Sequence, residues 1–118
     1  MTQLDEALRS VREHDGVEHV LLVGMDGLLV RHLGDGAGVD PDRVAAMVPG
    51  VVTSAGSFGH AAGGGDPSTA VLELADGVAV ITPLSEELLL AVLLRPGVGF
   101  TGLLRDVRRN RGHLASLV

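Results

Sequence analysis

The stretch LLLAVLL, Leu88–Leu94, is seven apolar residues with no polar interruption and is the longest strictly apolar run in the chain. It is far short of the ~20 residues that a membrane-spanning helix needs. A continuous run bounded by turn signals (Pro83-Leu84-Ser85 before, Pro96-Gly97 after) suits a central strand covered on both faces. A sheet with a strand of that kind needs a layer of structure on each side. SEELLLAVLL also has strong helix propensity, and Ser85 could cap it, so a helix competes with the strand here.

Turn chemistry organises the rest. Residues 2–14 predict a helix capped by Thr2, with Leu4, Ala7, Leu8 and Val11 on one face and Gly16 closing it. Val17–Val23 and Leu28–Leu33 flank Gly24-Met25-Asp26-Gly27, where Asp-Gly predicts a hairpin. Asp40-Pro41 predicts a helix start, with an aspartate cap and proline in the first turn. Val44, Met47, Val48, Val51, Val52, Ala55 and Phe58 then recur at three- and four-residue spacing. Pro49 lies inside that pattern and removes a backbone hydrogen bond, which predicts a bent or two-piece helix over about 41–62. Thr69–Ala75 alternates as a half-buried strand, with Asp76-Gly77 turning into a strand over Val78–Thr82. A last helix is expected over 99–111, with Phe100, Leu103, Leu104 and Val107 inward and a frayed tail over 112–118. The order is helix, two strands, helix, three strands, helix, as one α+β domain over 1–118.

Composition excludes several function classes. The 118 residues hold no cysteine, which removes thiolate metal sites, disulfides and cysteine nucleophiles. All nine basic residues are arginine, so neither a Schiff-base lysine nor a phosphate-binding P-loop lysine exists. Net charge is −6 and the only aromatics are Phe58 and Phe100, which argues against nucleic acid and anionic membranes as partners. The N-terminal MTQLDEALRS is acidic and amphipathic, unlike a signal peptide, and a cytoplasmic protein is expected. A hydrophobic content of 46% in so short a chain points to apolar surface buried in a partner, and self-association is the simplest form of that.

The candidate sites are then weighed in turn. GHAAGGGDPST, residues 59–69, has the glycines and hydroxyls of a phosphate cradle, but its order is helix, loop, strand, the reverse of a P-loop. Gly63 as a left-handed helix cap is the simpler reading. Asp35, Asp40 and Asp42 lack calcium-loop spacing, since the alternating positions hold Ala37 and Val39. His14, His19, His32, His60 and His113 show no paired metal spacing, although His19 and His32 could meet across the first hairpin. No serine sits in a nucleophile elbow. No cofactor, metal or catalytic group is therefore expected. Arg105, Arg108, Arg109 and Arg111 read as a solvated helix face, with an acidic partner as the functional alternative.

A docking surface is the stronger signal. The middle helix is lined with small residues, including Ala45, Ala46, Gly50, Ser54, Ala55 and Gly56, and lets another helix approach closely. The strand after it has only Glu73 as a charge and no proline, which is weak protection for an edge. Two copies meeting there would form an isologous contact.

The element order, with DGLLV (Asp26–Val30), VITPLSEELLLAVL (Val80–Leu93) and the alanine- and glycine-rich helix before Gly63-Gly64-Gly65, resembles the Roadblock/dynein light-chain domain family over about residues 4–111. That family includes bacterial MglB-like GTPase regulators. The resemblance implies a profilin-like, five-stranded antiparallel sheet with one helix on one face and two on the other. It also implies a homodimer joined through the middle helix and the 69–75 strand. Function would be that of a non-enzymatic adaptor or regulator of a small Ras-like GTPase. The interface would draw on Arg43, Val44, Met47, Val51, Ser54, Ala55, Phe58, Thr69, Val71 and Glu73. Pro49 departs from the helix-compatible residue that the family leads one to expect. The competing reading is a profilin- or PAS-like module that senses a small ligand under a lid at 41–62.

Overall fold

A computed structural model describes residues 2–36 and 38–118. The first helix, α1 (Gln3–Arg12), begins where the Thr2 hydroxyl accepts the Asp5 amide at 3.1 Å, and it buries Leu4, Leu8 and Val11 along one stripe. Gly16 ends the turn after it at φ +83°, and the Val98 side chain fills the space where a Cβ would stand. Strands β1 (Val17–Gly24) and β2 (Leu29–Leu33) follow as an antiparallel pair. At their turn Asp26 accepts the Leu28 amide at 3.0 Å. Gly27 is favoured there by its φ of +83°, a backbone conformation that side-chain-bearing residues rarely adopt.

Helix α2 (Pro41–Ala61) is capped by Asp40, whose carboxylate accepts the Arg43 amide at 3.3 Å. It is one continuous helix through Pro49, so the expected division into two pieces does not occur. Proline can sit there because the loss is confined to one N–H, while Ala45 and Val48 are buried beside it and hold the helix on the sheet. Strands β3 (Ala70–Leu74), β4 (Gly77–Pro83) and β5 (Leu88–Leu94) complete an all-antiparallel sheet in the order β2-β1-β5-β4-β3. Helix α3 (Thr101–Ser116) closes the chain. It runs beyond residue 111, because Leu114 is buried in the core and stabilises the extra turn, so the tail does not fray at 112.

The LLLAVLL run is the sheet's middle strand, and the helix alternative does not apply. Alternation splits its residues between two cores. Leu90, Val92 and Leu94 join Val20, Leu22, Val80 and the inner stripes of α1 and α3. Leu89 and Ala91 join Leu21, Val23, Ile81 and the α2 residues Ala45 and Val48. One helix covers one face and two cover the other. Each fully buried leucine contributes about 2 kcal/mol of transfer free energy, and β5 supplies apolar residues to both layers.

β3 departs from expectation. The alternation predicts a half-buried strand, yet Val71 through Leu74 are all exposed, Leu74 at 61%. Among the described residues, β3 has a strand partner on one edge only.

Candidate interaction surface

The glycine loop joins the two elements that form the surface. Gly63 and Gly65 have φ of +76° and +78°, as a left-handed cap requires. The Gly63 amide donates to the His60 carbonyl at 3.2 Å, and the Gly64 and Gly65 amides both donate to the Gly59 carbonyl, at 2.8 and 3.1 Å. The amides that a phosphate would need are thus bonded to the end of α2. Gly59 itself admits no side chain, because a Cβ would collide with the Gly65 carbonyl. The Nε2 of His60 meets Asp66 at 2.8 Å across the same bend. The loop is a bonded fold-back that brings β3 alongside α2.

Between α2 and β3 lies an open groove of about 720 Å³. Met47, Val51, Ser54 and Ala55 line its helix side, and Ala70 and Leu72 its strand side. Small residues on α2, Gly50 among them, keep the groove shallow and its floor apolar. Met47 is 65% exposed and Phe58 75%, one on the groove and the other a turn beyond Ala55 on the same stripe. Among the described residues no charged side chain lines the groove.

The remaining expected interface residues do not line the groove. Val44 is half-buried and packs inward on the α2 core. Arg43 is exposed in the first turn of α2, one turn before Met47, and does not itself line the groove. Thr69 precedes β3 and uses its hydroxyl to donate to the Ser68 carbonyl at 2.7 Å. Val71 pairs with Val80 and Glu73 with Val78, so both point to the α1–α3 face of the edge strand. Leu72 and Leu74, the strand's exposed residues on the α2 side, escape the sequence reading. Their alternation is legible, but it points equally to burial within the chain.

The two edges of the sheet differ in protection. On β2 a register shift interrupts the ladder opposite Leu22/Val23, and the Arg31 guanidinium donates to the Val30 carbonyl at 3.0 Å. β3 runs in unbroken register and has no such guard.

Other candidates resolve as follows. The imidazoles of His19 and His32 do meet, Nδ1 to Nε2 at 3.0 Å and stacked with centroids 5.2 Å apart. Burial holds His32 below its ordinary titration range, with the charges of His19 and Arg12 acting in the same direction. Among the described residues no group of three or more His, Asp or Glu side chains could hold a metal ion. Of the acidic loop, Ala37 lies outside the described residues. Asp35 pairs with Arg12 at 2.9 Å and Asp40 caps α2. Arg105, Arg108 and Arg109 belong to α3, whereas Arg111 of the same helix donates to the Ser68 carbonyl at 3.1 Å. No described helix is long and apolar enough to cross a membrane.

Comparison with known structures places this geometry. The chain is similar to MglB of Myxococcus xanthus, with a TM-score of 0.81 at 18% identity over 98% of this chain and 94% of that one. It is similar to the gliding protein MglB of Thermus thermophilus, with a TM-score of 0.82 at 17% identity over 97% and 87%. A Roadblock/LC7 domain from Streptomyces avermitilis aligns with a TM-score of 0.76 at 23% identity over 94% and 97%. At these identities the likeness establishes the fold. No curated protein sequence matches the chain. The Roadblock/LC7 domain model matches residues 3–94, from the start of α1 to the end of β5. With the α-β-β-α-β-β-β-α order and that match, the chain belongs to the Roadblock/LC7 domain family.

Proposed function

We propose that the chain is a cytoplasmic homodimer that acts by binding, as an adaptor or regulator of a small Ras-like GTPase, and carries out no chemistry of its own. The observation that carries this reading is the uncovered α2–β3 surface: Met47, Phe58, Leu72 and Leu74 exposed beside an unguarded strand edge. A second copy related by a two-fold axis satisfies both the open β3 backbone and the apolar stripe of α2. The sheet face beneath α2 is filled by Leu21, Val23, Ile81 and Leu89, which favours this reading over a ligand sensor with α2 as lid.

In the dimer, paired α2 helices make one continuous platform. A GTPase docked on it has its switch loops biased toward one conformation by differential contact, the only means by which a binding partner can shift such an equilibrium. Arg43, exposed at the start of α2, lies at the margin of that platform and serves in docking.

The experiment has two parts. Sedimentation establishes the association state of the wild type and of Leu72→Asp, which places a charge in the groove. GTP hydrolysis and nucleotide release by a captured Ras-like GTPase are then measured with each. A change in either rate with the wild type and none with the variant supports the reading. A monomeric wild type, or rates indifferent to both proteins, refutes it.

A further inference from the structure

A second apolar surface lies at the far end of the sheet, on the opposite face from α2. The β1–β2 turn and the β4–β5 turn run side by side there and are tied together. The Met25 amide donates to the Glu87 carbonyl at 2.9 Å, and the Gly24 amide to the Leu28 carbonyl at 2.9 Å. The Glu87 amide donates to the Ser85 hydroxyl at 3.3 Å. Between the turns is a groove of about 480 Å³. Val30 and Leu88 form its half-buried floor, while Met25 and Leu28 stand exposed at 37% and 67%. Gly24 and Leu88 are cross-strand partners, and Leu88 packs on the core beneath α1 and α3, so the groove opens on that face. None of its lining residues lines the α2–β3 groove.

The rim has one sign of charge. Asp26, Glu86 and Glu87 line the groove and form no ion pair among the described residues. Among the described residues no arginine or histidine lines it. The nearest cation in sequence, Arg31, is engaged with the Val30 carbonyl and with Asp5 at 3.6 Å. An apolar floor under three unpaired carboxylates suits an apolar side chain flanked by cations and repels acidic segments, anionic lipid and nucleic acid.

We propose that this groove docks a short protein segment in which leucine-like residues are flanked by arginine or lysine. The apolar residue sits on Val30 and Leu88 against Leu28, and the flanking cations meet Glu86, Glu87 and Asp26. The turns are already locked by backbone hydrogen bonds, so little ordering is required on binding. This surface is independent of the GTPase reading.

The test uses the full chain and a fluorescein-labelled synthetic peptide of alternating leucine and arginine, with a leucine–glutamate peptide as control. Fluorescence anisotropy and amide chemical-shift mapping are the readouts. Saturable binding of the arginine peptide is expected, with shifts centred on residues 25–28 and 86–88. Glu86→Lys with Glu87→Lys weakens it at least about tenfold, as does Leu28→Ser, while Phe58→Ala leaves it unchanged. Melting temperatures of the variants report that they fold. Equal binding of the glutamate peptide, shifts on α2 and β3 instead, or affinity unchanged in both groove variants overturns the proposal. A wild-type assembly that Leu28→Ser dissolves also overturns it, since the groove would then be covered by another copy.

Discussion

Phe58→Ala tests the dimer most directly, because Phe58 is 75% exposed and belongs to neither core cluster of its own chain. A phenylalanine side chain presents about 200 Å², so covering what is exposed removes about 150 Å² from water in each protomer. At ~25 cal/mol per Å² that is about 4 kcal/mol per protomer, and a two-fold contact uses the residue twice. Ordering of side chains and imperfect packing consume part of this, and retaining about half leaves ~4 kcal/mol per dimer. The dissociation constant should therefore rise about a thousandfold. Stability of the isolated protomer should change by less than about 0.5 kcal/mol, since the substitution touches only surface. Sedimentation velocity from nanomolar to high micromolar concentration measures the first quantity. Interference optics are needed, because the chain has no tryptophan or tyrosine. Urea denaturation below the dissociation constant measures the second. An unchanged dissociation constant in Phe58→Ala would falsify the placement of Phe58 in the interface, and a loss of protomer stability of several kcal/mol would show that it belongs to the core.

Four further single-residue variants have defined outcomes. Gly34→Ala should cost about 3 kcal/mol in urea denaturation, because φ is +140° and a Cβ would strike His19 and the Glu18 carbonyl. Gly38→Ala, at φ +94° with nothing within 4 Å, should cost only about 1 kcal/mol, and equal losses in the two would refute the steric argument. Pro49→Ala should stabilise by about 2 kcal/mol, because it returns an N–H to the turn of α2 above Ala45; an unchanged or lowered melting temperature counts against this. His32 is held below its ordinary range, so as pH falls past about 6.5 the unfolded chain takes up the proton first and stability declines. His32→Gln should flatten the decline between neutral and mildly acidic pH, and an unaltered slope in thermal melts would assign it to other groups.

Local chemistry makes most elements legible. Thr2 and Asp40 each cap the helix they precede, and Asp26-Gly27 turns the first hairpin. The run of Leu88–Leu94 implies two buried faces, and it lies between β1 and β4 with a core on each side. Expectation and structure part where a residue's partner is distant in sequence. The end of α3 depends on Leu114 reaching the α1–α3 core, which residues 112–118 do not disclose by themselves. Pro49 signals a break locally, but burial of Ala45 and Val48 keeps α2 whole. Of the candidate interface, the stripe Met47, Val51, Ser54, Ala55 and Phe58 is readable from helical spacing. Val71 and Glu73 lie on the expected strand, but cross-strand pairing turns them to the other face.

The sequence by itself determined the order of elements, the turns, the absence of thiol and lysine chemistry, and the need to cover apolar surface. These depend on backbone preferences and side-chain types acting over a few residues. Tertiary structure decided which apolar residues remain uncovered. The same alternation over Ala70–Leu74 describes a strand buried in its own core or one awaiting a neighbour, and only the sheet order β2-β1-β5-β4-β3 puts it at an edge. It also decided that Leu28 and Met25, distant in sequence from Glu86 and Glu87, share one acid-rimmed groove, because the hydrogen bonds of β1 to β5 bring the two turns together.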